Sequence, residues 1–122
     1  MRSPSPLDEG SPAYDVVVVL RDERVRRLSS VTALQRSIGD LVAASEASNA
    51  DDEHDPEGAT IAFERSQLGA QLEAAQAALD DVAHAVRRVQ DGSYGICQIC
   101  SRPIAAARLE ARPTATTCIS CA

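Results

Sequence analysis

The chain has 122 residues, a formal charge of −6, one Phe, two Tyr and no Trp. With so few large aromatic side chains, its 44% apolar content is mostly Ala, Val and Leu, which excludes a thick sandwich or barrel and favours helices that bury narrow stripes. An acidic chain is repelled by phosphate backbones, so wrapping nucleic acid directly is disfavoured, no sequence-specific DNA binding is expected, and a protein partner fits better.

Residues 1–13 contain Pro4, Pro6, Gly10 and Pro12 among serines and acids without periodicity. They read as a disordered tail with no assigned function. From about Asp15 to Ser48 there is no Pro, and Val25, Leu28, Val31, Leu34, Ile38 and Leu41 recur every three or four residues. That spacing predicts a first long helix. The run Val16 to Leu20 at its start is β-branched enough to form a short strand instead, and periodicity leaves both open.

Polar, turn-favouring residues from Asn49 to Asp55 break the pattern, and Asp55 followed by Pro56 is a helix-start signal. The second helix is expected from Pro56 to about Gln90, with Leu68, Leu72, Ala75, Leu79, Val82, Val86 and Val89 alternating steps of four and three. This is a heptad seam, and Asp91-Gly92 supplies its stop. A short connection between two long helices forces an antiparallel hairpin. The expected fold is mainly α: a two-helix coiled-coil hairpin over residues 14–91 with its tip at about 49–57, and a small C-terminal four-cysteine zinc finger over 92–122.

All four cysteines lie in that last segment, as Cys97-x2-Cys100 and Cys118-x2-Cys121. The spacing is that of a structural zinc site: each pair sits on a tight knuckle, and two knuckles complete a tetrahedron around one Zn²⁺ per chain. Iron–sulfur ligation and a redox dithiol are the alternatives, although dithiol catalysts place a single pair at a helix start in a βαβ setting. Four thiolates and one Zn²⁺ bring the overall charge to about −8. A zinc with four sulfurs leaves no coordination position for substrate, so the site folds a segment lacking its own core and the protein is expected not to be an enzyme.

The second chemical stretch is the tip, where Glu46, Asp51, Asp52, Glu53, Asp55 and Glu57 carry six acids and no Lys or Arg intervenes. Acids here serve solubility and helix capping, or else an acidic point reaches a cation or basic loop of a partner. His54 and His84 read as solvated side chains. Arg21, Arg24, Arg26 and Arg27 in the first helix, with Arg102, Arg108 and Arg112 near the cysteines, read either as a docking surface or as solvated charges paired along the chain. No segment approaches the roughly 20 apolar residues that cross a bilayer. Met1 to Gly10 lacks a secretory signal, so the cytoplasm is expected.

Tyr94-Gly95-Ile96-Cys97-Gln98-Ile99-Cys100, then Ile104, then Arg108-Leu109-Glu110-Ala111-Arg112-Pro113-Thr114-Ala115 before Cys118 and Cys121, closely resembles the zinc finger of the DksA/TraR family of bacterial transcription regulators. Upstream, Asp55-Pro56-Glu57-Gly58-Ala59-Thr60 is similar to the acidic motif that opens that family's second helix. The resemblance covers about Asp55 to Cys121. It implies that the hairpin enters the secondary channel of RNA polymerase and modulates initiation, with Asp52, Asp55 and Glu57 as effector acids and Arg108 and Arg112 supporting docking. Glu57 stands where the family usually has an aspartate, His54 where it has an acid, Ser101 where glycine is common, and Ala107 where a basic residue is frequent. Some relatives respond to guanosine tetraphosphate, which two arginines alone do not imply. Without the resemblance, the same features describe a zinc-ribbon coiled-coil scaffold that binds another protein through its seam.

Overall fold

A computed structural model describes residues 15–49 and 57–122. The tail 1–13 and the tip residues Asp52 and Asp55 lie outside the described residues. Three helices follow in chain order: α1 (Val16–Asn49), α2 (Glu57–Asp91) and a short α3 (Ala106–Ala111). No strand forms among the described residues; the nearest approach is one antiparallel bridge between Ile96 and Pro103.

The valine run is helical. Its β-branched residues are carried by the cap before them, since the Asp15 carboxylate accepts from the Val17 amide at 3.0 Å and its carbonyl from the Val19 amide at 2.9 Å. At its other end α2 stops as the sequence requires. Gly92 takes φ +83°, and the Ser93 and Tyr94 amides both close onto the Arg88 carbonyl. Asp91 receives the Ser93 hydroxyl and amide, and these two hydrogen bonds hold its carboxyl below the usual range.

The long helices run antiparallel. Near one end of the hairpin Leu41, Val42 and Glu46 of α1 line a groove with Gly58, Ile61 and Arg65 of α2. At the other, Leu20 of α1 shares a core with Ala85 of α2. The described residues form two compact units, one of residues 15–25 with 80–122 and one within Arg26–Leu79.

Inside the second unit the stripes meet as expected, with Val31, Leu34, Ile38 and Leu41 half-buried opposite Leu68, Leu72 and Leu79. Two helices alone shield each other on one side only, so full burial there is confined to Ala75. The first unit is packed more deeply. Leu20, Ala85, Tyr94, Cys97, Ile104 and Leu109 form one buried cluster, edged by Val16, Val89, Ala115, Cys118 and Cys121.

Three seam assignments change. Val86 is exposed and Ala85 takes the inward position at 0% exposure, because the face of α2 there meets the cysteine segment as well as α1. Val25 and Leu28 are exposed as well, since the inward phase at the start of α1 runs through Leu20 and Glu23. At 100° per residue Val25 then lies about 200° around from Glu23. Glu23 and Arg88 are both buried charged residues of this unit, which no hydrophobic periodicity would select.

Candidate functional site

The two cysteine pairs sit on matching turns. In the first, the Cys97 amide donates to the Arg102 carbonyl at 2.8 Å and the Ser101 amide to the Cys97 carbonyl at 3.0 Å, while the Ile104 amide closes the loop onto Gly95 at 2.7 Å. In the second, the Cys121 amide donates to the Cys118 carbonyl at 3.1 Å. The Gln98 amide ties the turns together through the Thr116 carbonyl at 2.9 Å. The seventeen residues between the pairs are therefore a strap that includes α3, whose Leu109 is buried under the site.

All four sulfurs lie within 4.8 Å of one another, and the Cys100 and Cys118 sulfurs are 3.7 Å apart. A tetrahedron with Zn–S bonds of 2.3 Å has edges of about 3.8 Å, so the cluster already has the dimensions of a four-thiolate zinc centre. Its electrostatics fit as well. The amides of Cys100 and then Cys118 draw the Cys97 thiol down to about 6, and a hydrogen bond from Cys121 lowers Cys118. Cys121 is pushed up to about 12, first by that bond to Cys118 and then by burial. Four thiols this close cannot all ionise on their own charge; a dication supplies the charge that lets the last protons leave.

Ser101 follows the second cysteine with φ +64°, in the left-handed region. The turn demands that geometry, which explains why glycine is common at this position in the resembled family. Ser101→Gly is expected to raise stability by roughly 0.5–1 kcal/mol, read as a higher urea midpoint of the Ile104 methyl signals. An unchanged or lower midpoint means that the turn carries no strain.

Arg108 and Arg112 lie near each other. They line one groove with Arg102, over a floor of Pro103, Ala105 and Ala111. The Arg108 Nε donates to the Thr117 carbonyl at 2.9 Å, which fixes its guanidinium relative to the second turn. Arg102 is the groove's third cation and belongs with the other two. Tyr94 was visible only as part of a motif, yet its hydroxyl donates to the Pro113 carbonyl at 2.7 Å while its ring fills the core. Ile99 and Ile119, inside the two cysteine pairs, point outward at 68% and 81% exposure. Of the proposed tip acids, Glu57 opens α2.

The family model of the prokaryotic dksA/traR C4-type zinc finger matches residues 92–122. A stretch of 38 residues is 58% identical to the RNA polymerase-binding transcription factor DksA of Caulobacter vibrioides, covering 31% of this chain and 27% of that protein. Another of 66 residues is 38% identical to the uncharacterized protein YteA of Bacillus subtilis, covering 54% of this chain and 28% of that one. The matches thus span under a third of the curated relatives' own length. Among solved structures, transcription factor DksA2 from Pseudomonas aeruginosa is similar with a TM-score of 0.54 and 28% identity, over 94% of this chain and 88% of that chain. Finger match and sulfur geometry agree on one structural Zn²⁺, held by the four cysteines.

Proposed function

We propose that the chain, whose C-terminal segment matches the dksA/traR C4-type zinc finger, is a member of the DksA/TraR family that binds RNA polymerase through the secondary channel and modulates transcription initiation without being an enzyme. The observation that carries this reading is the 58% identity of a 38-residue stretch to an RNA polymerase-binding transcription factor, on a fold similar to that of DksA2 over most of the chain. Each long helix, of 34 and 35 residues, spans about 50 Å, enough for a hairpin to reach a deep site. Asp52, Asp55 and Glu57 then carry charge into the channel, where a low dielectric strengthens its effect on magnesium or on mobile polymerase elements. Arg102, Arg108 and Arg112 contact the channel rim, helped by the outward Ile99 and Ile119.

The zinc supplies no chemistry in this reading; it holds the two turns rigid. Cytoplasmic location follows from the proposed partner, and no described helix is long and apolar enough to cross a membrane.

The test measures binding of the zinc-loaded chain to polymerase core enzyme, with a secondary-channel ligand as competitor. Wild type is expected to bind and be displaced. Glu57→Lys is expected to bind within about fivefold, since a single surface charge pair is worth under roughly 1 kcal/mol, yet to lose the effect on initiation. Absence of binding at micromolar concentration sinks the channel reading and leaves a zinc-ribbon scaffold.

A further inference from the structure

Between the start of α1 and the end of α2 lies a groove walled by Val17, Leu20, Val86 and Val89, with Arg21 and Arg24 also lining it. Val17 is 61% exposed and Val86 37% exposed, so two large apolar side chains face solvent although Leu20 beside them is buried. The groove has a volume of about 300 Å³. That is the lower limit of small-molecule clefts and suits one or two side chains of a partner better than a whole ligand.

Both guanidiniums are exposed, and no Asp or Glu lines the groove. Nor does α1 supply an acid from its own surface. The residues three and four positions from Arg21 are Val17, Val18, Arg24 and Val25, and those around Arg24 are Leu20, Arg21, Arg27 and Leu28. These are the positions where a helix places pairing acids, and like charges there weaken it slightly. Pairing within the helix therefore accounts for neither arginine. In a chain with 18 acids and 12 bases, an apolar groove flanked by two cations and no acid is complementary to an acidic partner.

We propose that this groove docks an acidic amphipathic helix of another protein, seating a leucine-type side chain between Val17 and Val86 and pairing two carboxylates with Arg21 and Arg24. From Val17 to Arg24 α1 rises about 10 Å, two turns. Arg21 and Arg24 stand three residues apart, and acids three or four residues apart on a second helix have the matching spacing. A second copy of the chain is disfavoured, because groove-to-groove pairing brings four guanidiniums together without an acid between them. The proposal stands apart from the polymerase reading: it is tested with polymerase absent, and either can fail alone.

The probe is a synthetic helical peptide with leucines on one face flanked by glutamates, titrated into the zinc-loaded full chain while the Val17 and Val86 methyl signals are followed. Those signals are expected to shift while the Val31 and Leu34 methyls stay in place. Affinity is expected to be about tenfold higher than for the same peptide with Lys in place of Glu. The double variant Arg21→Glu, Arg24→Glu is expected to reverse that preference, which loss of folding would not do. Absence of shifts at millimolar peptide overturns the proposal, as does equal affinity for the two peptides or a preference unchanged in the double variant. Shifts of Val17 and Val86 with protein concentration alone assign the groove to a second copy, and NOE contacts from them to residues 1–13 assign it to the chain's own N-terminus. Either result overturns the proposal.

Discussion

Replacing Cys97 with Ser, or stripping zinc with a strong chelator, is expected to unfold residues 92–122 and loosen the adjoining ends of α1 and α2. Cys97 is 1% exposed and belongs to the same buried cluster as Leu20, Ala85, Tyr94, Ile104 and Leu109, so the metal ligand is also a core residue. Binding of structural zinc by four-ligand peptides is worth about 10–16 kcal/mol near neutral pH, larger than the whole stability of many small domains. The strap between the cysteine pairs contains six residues of helix and one isolated bridge, too little regular structure to hold itself. Methyl spectra should therefore show Ile104 and Leu109 collapsing to disordered shifts, while Val31, Leu34 and Leu72 keep theirs. Retention of the Ile104 shift after complete removal of zinc would falsify the structural role.

Acid should act in the same direction. Zinc binds thiolates, so falling pH protonates the sulfurs and weakens the site, and the stability it confers is present at neutral pH and lost on acidification. Acid-induced zinc release, followed with a chromophoric chelator, should accompany the loss of the Ile104 signal.

The second large effect comes from the start of α1. Leu20→Ala is expected to cost about 2–5 kcal/mol, whereas Leu41→Ala, at a half-buried position between two helices, should cost well under half as much. Leu20 is 2% exposed and meets both α2 and the finger cluster, so its removal leaves a cavity walled on several sides. Leu41 sits on a two-helix contact where solvent already reaches one side. Urea midpoints of the Ile104 methyls for Leu20→Ala, and of the Leu34 methyls for Leu41→Ala, give the comparison. Equal costs would mean that stability is spread evenly along the seam.

Legibility from sequence followed the range of the forces involved. The four cysteines were readable because tetrahedral ligation constrains spacing within each pair, and the structure brings their sulfurs to within 4.8 Å. Both helices were readable from periodicity and from their breaks: the expected 15–48 and 56–90 became Val16–Asn49 and Glu57–Asp91. Mid-hairpin positions such as Val31, Leu34, Leu68 and Leu72 followed the stripe, since a helix there has one neighbour and a single inward face.

Where a third element packs against the hairpin, the stripe no longer identified the core. Ala85 displaced Val86 as the buried residue although valine is the more apolar, because space between α2 and the finger admits only a small side chain at that turn. Val25 and Leu28 lost their places to Leu20 and Glu23 through a rotation of phase that depends on what α1 faces. The chain by itself determined the local facts: metal ligands, helix extents, the acids around the turn and the stop at Gly92. Tertiary structure alone decided which helix faces are inside where the finger packs, that Arg102 joins Arg108 and Arg112, and that Cys97 is both ligand and core, because these depend on contacts between segments far apart in sequence, which no local spacing encodes.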